Sequence, residues 1–234
     1  MKKELKMKTF IVPIFLILSS VLSVRAQSNF GTVQDGLMAM KLGPLFTAGA
    51  AVNAGDVLNG TKTSPGFACA PGALFDFTYT RNVGFDLGIA YDARTVNFHN
   101  QANSSVGVDY SFGYISLRPE LRFGGFLIGV GLGLPIAVST TASNGAIAPK
   151  VGVGDVNSLF EGRIGGLVEL FRSDLGTLDF MVEGSYSFSR NLNSTWFHGT
   201  DQTKNNGPLA TAEAGFTYLF DLLPTPVPPI AASR

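Results

Sequence analysis

Among its 234 residues the chain has one cysteine, two histidines and one tryptophan, and only 15% of its residues are charged. The lone Cys69 excludes an internal disulfide. No His/Cys/Asp spacing resembles a ligand set, so neither a metal nor another cofactor is expected. A charged fraction well below the roughly 25% of a soluble domain points away from the cytosol and toward lipid. Long hydrophobic runs are missing too. Beyond residue 26 nothing approaches about 18 uninterrupted apolar residues, which excludes spanning helices and leaves a closed barrel as the route across a membrane. What the chain does have is glycine, at 28 residues, and phenylalanine, at 19. With 45% apolar content it can enclose one core, and nothing along it suggests a second folding unit.

The formal net charge of zero conceals an asymmetry. The first 26 residues hold five of the 17 basic side chains (Lys2, Lys3, Lys6, Lys8, Arg25) and one of the 17 acidic, Glu4, so the remainder carries about −4. Nucleic acid is not an expected partner. The same stretch reads as a cleaved signal peptide, 1–26: a lysine-rich start, the apolar run 10–24, then Val24-Arg25-Ala26 before Gln27. Broken by Pro13 and Ser19-Ser20, the run is shorter than the about 20 residues of a spanning helix. No cysteine marks a lipid anchor at the cleavage point, and Met7 is a second plausible start.

Residues 27–221 alternate with period two. In 85–91, Phe85, Leu87, Ile89 and Tyr91 share one face while Asp86, Gly88, Ala90 and Asp92 share the other. Phe75, Phe77 and Tyr79 precede them across a turn at 81–84, which makes a hairpin. A second hairpin joins 117–123 to 126–134 through Gly124-Gly125, and in it Gly129, Gly131 and Gly133 oppose the apolar face. A third joins 160–171 to 178–188 through the turn 173–176. Flanking strands at 38–50 and 209–220 complete eight. The connections alternate long (53–66, 99–107, 140–157, 191–208) and short (81–84, 124–125, 173–176). This predicts an all-β, eight-stranded antiparallel up-and-down transmembrane β-barrel in a bacterial outer membrane, with four long loops outside and both mature termini periplasmic. A soluble eight-stranded carrier alternates as well, but here the charged face points inward and the aromatic-aliphatic face outward. Residues 222–234 form a Pro-rich periplasmic tail, since proline cannot continue a sheet ladder.

One strand breaks its own pattern. Asp109 and Ser111 share a parity with the apolar Ile115, Leu117 and Leu121, so the polar face changes sides between Ser111 and Ser116. Either a β-bulge near Gly113-Tyr114 adds a residue to this strand, or Asp109 and Ser111 rise above the apolar band.

The leader ending Val24-Arg25-Ala26-Gln27, the segment 114–123, the strand Gly129-Val130-Gly131-Leu132-Gly133 and the closing 214–220 resemble the small outer-membrane barrels of Bacteroidota, the PorT-like and OmpX-like group. The resemblance implies fold and location, and the Pro-rich tail departs from barrels that end on an aromatic. Some members of that group are linked to secretion machinery or adhesion, so an accessory barrel of a secretion system is one alternative role.

The inward charges form the candidate site: Lys41, Asp76, Asp86, Arg94, Arg118, Glu120, Arg122, Glu161, Arg163, Glu169, Asp179, Glu183 and Glu213, with Asp92 beside them. In an eight-stranded barrel they are expected to fill the lumen as a hydrogen-bonded plug, and a proton or small-solute path is the competing use. No catalytic residue is expected. A lipid A or phospholipid modifying enzyme would need a histidine beside a hydroxyl, and His198-Gly199-Thr200 offers only a threonine in or near a long loop. Trp196, Phe197 and His198 read instead as an interface anchor. Cys69 shares its parity with Phe75 and Phe77 and is expected on the lipid side. The expected partners are outer-membrane lipid, lipopolysaccharide, the barrel-assembly machinery and an unidentified surface ligand of the loops.

Overall fold

The computed structural model describes residues 39–80, 82–147, 149–193 and 206–222. The signal peptide, its cleavage point, His198 and all but Leu222 of the Pro-rich tail lie outside them. The eight strands are β1(Ala39–Asn53), β2(Thr61–Thr80), β3(Val83–Asn100), β4(Gly107–Phe123), β5(Phe126–Ser143), β6(Leu159–Ser173), β7(Gly176–Ser187) and β8(Leu209–Asp221). Each pairs antiparallel with its sequence neighbour, and β8 returns to β1 to close the barrel. Full closure leaves the ladder no free edge where all eight strands are present. The expected turns are in place: Gly124 takes a positive φ of 63° in the short β4–β5 connection, where a side chain would be strained.

Strands β2, β3 and β5 are taller than expected. The sequence pattern starts the second strand after the loop 53–66 and ends the third before the loop 99–107, yet β2 starts at Thr61 and β3 runs to Asn100. The expected loops 53–66 and 99–107 therefore shrink to 54–60 and 101–106, and β5 extends to Ser143. The cause is a change of outward chemistry. The added rungs face out with Lys62 and Ser64 on β2, His99 on β3, and Thr141 and Ser143 on β5, and polar side chains facing out read as loop in a sequence whose other strands face out with aromatics.

The interior changes in the opposite sense. Toward the loop end Val96, Phe98, Phe112, Tyr114, Leu159 and Leu209 form a buried apolar cluster, joined by Val156 and Leu192 from the connections. A second cluster, Leu45, Leu74, Leu127, Leu167, Met181 and Leu219, lies toward the tight-turn end.

This settles the irregular strand. β4 pairs with β3 without interruption from Val83↔Phe123 to His99↔Gly107 and gains no residue. The register shift at Gly113/Tyr114 belongs to its other neighbour, since Tyr114 opposes Pro135, Gly113 opposes Ala137, and Ile136 is the extra residue in β5. Pro135 has no N–H for the ladder, which suits a bulge. The bulge expected in the fourth strand is thus a bulge in the fifth. Asp109 and Ser111 keep their outward parity, level with Asn97 and Thr95 above the apolar band.

Candidate functional site

Strand alternation aims the charged side chains at the barrel axis. β3 contributes Asp86, Asp92 and Arg94, β4 contributes Arg118, Glu120 and Arg122, β6 Glu161 and Arg163, and β7 Asp179 and Glu183. All but Arg122 are buried, whereas outward neighbours at the same height are not: Tyr91 is 40% exposed and Asp92 is 0%.

Three arginines and three carboxylates close a ring. Arg94 donates from Nε and Nη2 to Asp92 at 2.8 and 2.7 Å, and from Nη1 and Nη2 to Glu161 at 2.7 and 3.1 Å. Arg163 donates to Glu161 at 2.6 Å, to Glu120 at 3.0 Å and to Glu183. Arg118 donates to Asp92 at 2.9 Å and stands 3.7 Å from Glu183, which returns the chain of charges to its start. Ser185 adds a hydrogen bond to Glu161 at 2.9 Å. Forked guanidinium–carboxylate pairs of this kind are the strongest and most directional of the common ion pairs.

Room for the ring comes from β5, which supplies only glycines to this part of the lumen. A Cβ on Gly131 would lie 2.6 Å from Cγ and Oε1 of Glu161, and one on Gly129 would lie 2.6 Å from Cγ of Glu120. The glycine alternation visible in the sequence is the negative image of the charged ring.

The remaining predicted residues fall outside the ring. Arg122 donates to Asp76 at 2.7 Å and to Thr78 at 2.6 Å, and its Nε is 3.4 Å from Asp86. Lys41 donates to Thr177 at 3.2 Å and lies 3.7 Å from Asp221 at the tight-turn end. Asp179 accepts from Thr177 at 3.3 Å, and Glu213 accepts from Thr47 at 2.6 Å. Glu169 corrects the expectation. It shares the inward parity, but the β6 ladder shifts register between Glu169 and Phe171, and its carboxylate binds exposed Arg172 at 2.6 and 3.1 Å on the rim. Asp86 Oδ2, Glu213 Oε1 and Arg118 Nη1 are buried without a hydrogen-bond partner among the described residues.

Two further residues bear on chemistry. Cys69 pairs with Ala48 and Ala93 on the outward face, as its parity requires. Among the described residues His99 stands beside a serine, with Nε2 2.9 Å from Ser64 Oγ near the top of the β2–β3 ladder. Its Nδ1 is buried without a partner, so among the described residues no acid orients the ring. The sequence held no signal for this pair, because Ser64 lies in a stretch that reads as loop. Among the described residues no group of three His, Cys, Asp or Glu side chains is arranged to hold a metal ion.

No family model matches the chain, and no curated protein matches it. Solved structures with some likeness are outer-membrane proteins. OprG from Pseudomonas aeruginosa is 12% identical with a TM-score of 0.31, over 79% of this chain and 96% of that one. AlkL, solved in DMPC bilayers, is 14% identical with a TM-score of 0.36, over 88% and 97%. Ail, the attachment invasion locus protein of Yersinia pestis, solved with the heparin analogue sucrose octasulfate, is 11% identical with a TM-score of 0.33, over 78% and 99%. Likenesses this remote carry no weight for function, and the architecture rests on the strand ladder of the chain itself.

Proposed function

We propose that this chain is a small outer-membrane barrel with a filled lumen, serving a structural or surface-interaction role rather than catalysis, with its four connections at the loop end outside and both mature termini periplasmic. The observation that carries this reading is the inversion of polarity along the strands. At the height of the charged ring the outward face holds exposed Ile89, Tyr91, Ile115, Leu117 and Leu132, an arrangement water would penalise and hydrocarbon favours. On β4 the outward apolar run from Phe123 to Ile115 spans about 20 Å along the normal at the tilt usual for such barrels, near the roughly 25 Å of a lipid-facing band. Above that band on β3 to β5 apolar side chains turn in and polar ones turn out, as in a soluble β-structure.

A filled lumen follows from strand number and from the cross-lumen ion pairs. Eight strands enclose room only for side chains, and the ring together with the two apolar clusters occupies that room. The test is planar-bilayer conductance of the purified, refolded protein, run beside fractionation of the envelope. Recovery in the outer-membrane fraction without steady current is expected. Steady ion-selective current through the wild type would overturn the filled lumen, and recovery elsewhere would overturn the location.

A second reading, a lipid-modifying enzyme, is favoured only by the His99–Ser64 contact. Its height speaks against it. His99 lies eight positions above Tyr91 on β3, about 20 Å higher at the usual tilt, whereas the ester groups of a lipid sit at the top of the hydrocarbon band.

A further inference from the structure

The polar outward face above the apolar band occupies only one side of the barrel. On β3, β4 and β5 the outward rungs are Thr95 and Asn97, Ser111 and Asp109, and Ser139 and Thr141, held side by side in register. Thr95 and Ser111 hydroxyls lie 3.0 Å apart across the ladder. On the opposite wall the outward face stays apolar to the strand tops, where Ala210 of β8 sits between Val52 of β1 and Tyr186 of β7.

We propose that this face binds the saccharide headgroup of an outer-leaflet glycolipid, an inference that rests on the membrane-spanning reading above. Continuity comes first. A lipid whose acyl chains lie along Ile89, Tyr91, Ile115 and Leu134 must set its headgroup against the next rungs of those same strands. Height comes second. From Thr95 to His99 the polar face rises about 10 Å along the normal, while a phospholipid headgroup layer is only about 5–8 Å deep. The face therefore reaches past a phospholipid headgroup, to the height of the first sugars of a glycolipid. Chemistry comes third. Five of the six named side chains are hydroxyls or an amide, which both donate and accept as sugar hydroxyls do, and the sixth, Asp109, is an acceptor. The cation beside this face is Lys62 of β2, opposite His99 at its upper edge and two outward rungs above Thr95, so a phosphate at the foot of the face, next to the apolar band, meets no arginine or lysine on β3, β4 or β5.

The test places an environment-sensitive dye at Thr141→Cys in a Cys69→Ser background, with Ala210→Cys on the opposite wall as control. The protein is reconstituted in three kinds of vesicle: phosphatidylcholine alone, phosphatidylcholine with a glycolipid trimmed to its acylated phosphorylated disaccharide, and phosphatidylcholine with the same glycolipid carrying its core sugars. Protection of the dye from iodide quenching should rise about fivefold, the worth of one or two net hydrogen bonds, at position 141 and only with core sugars. The variant Thr95→Val/Ser111→Ala/Ser139→Ala/Thr141→Val should lose co-purifying glycolipid by a similar factor, and the dye measurement stands without it if that variant fails to fold. Equal protection at both positions, or equal protection without core sugars, overturns the proposal. A dye at 141 that an impermeant maleimide cannot compete with on whole cells overturns the orientation beneath it, and so separates the two failures.

Discussion

Arg94 on β3 reaches across the lumen to Glu161 on β6 and engages both of its carboxylate oxygens, at 2.7 and 3.1 Å, with neither side chain exposed. The two residues are 67 positions apart in sequence, and between their strands in the barrel stand β4 and β5. The pair is a tie between opposite walls, and it makes the lumen part of the load path of the fold.

The arginines should differ in worth according to what each leaves behind. Arg163→Ala strands Glu120, which has no other arginine in its hydrogen bonds, and should cost about 3–5 kcal/mol as an uncompensated buried charge. Arg118→Ala should cost less, because Asp92 keeps Arg94 and Glu183 keeps Arg163. Arg172→Ala, at a rim side chain that is 63% exposed, should cost at most about 1 kcal/mol. The heat-induced gel shift of the refolded proteins gives the order directly, and equal losses at Arg163 and Arg172 would remove the energetic role of the ring.

Gly131→Ala should destabilise the barrel by about 1–3 kcal/mol, since the new Cβ meets a Glu161 side chain that Arg94, Arg163 and Ser185 hold in place. Gly184→Ala is the control. Its Cβ would meet nothing nearer than 3.7 Å, and its effect should stay within about 0.5 kcal/mol. Thermal melts of the two variants under one set of lipid conditions decide the matter.

Ser64→Ala should leave the acylation pattern of membrane lipids unchanged, as should deletion of the protein. Mass spectrometry of lipid extracts reads this out. Loss of one acyl chain in the presence of wild type alone would reinstate a hydrolytic role for the His99–Ser64 pair.

Protein recovered from outer-membrane fractions should begin at Gln27, because Val24 and Ala26 are the small residues placed after the apolar run. N-terminal sequencing checks it, and a retained leader would remove the export argument.

The lower half of the barrel was legible because a single rule governs it. From Phe85 to Asp92 every outward residue is apolar or aromatic and every inward one is small or charged, so parity alone assigns the face. The upper half obeys the reverse rule. Val96 and Phe98 point in while Thr95 and Asn97 point out, and where the same rule continues to Lys62, Ser64, His99 and Thr141 a reading tuned to apolar-out strands takes the segment for loop. Bulges are the other blind spot. The parity of Asp109 and Ser111 against Ile115 pointed to an irregularity near Gly113-Tyr114, but nothing in the alternation of that strand says that the extra residue, Ile136, stands beside Pro135 in β5. Glu169 failed for the same reason, since a register shift beside it turns the strand end toward Arg172. The membership of the charged set was readable by parity, whereas its pairing depends on shear around the barrel, which one sequence does not display.

The polar rungs on β3 to β5 also bear on how such a barrel reaches its place. In the orientation proposed above, Thr95, Asn97, Asp109 and Ser111 travel through hydrocarbon ahead of the apolar rungs, and each unmet polar group costs several kcal/mol on the way. The same toll applies in reverse. Once across, these strands work as a barbed tip, slow to enter without a catalyst of insertion and slower still to withdraw, so the lifetime of the protein in its membrane is set by a kinetic latch as much as by its equilibrium stability.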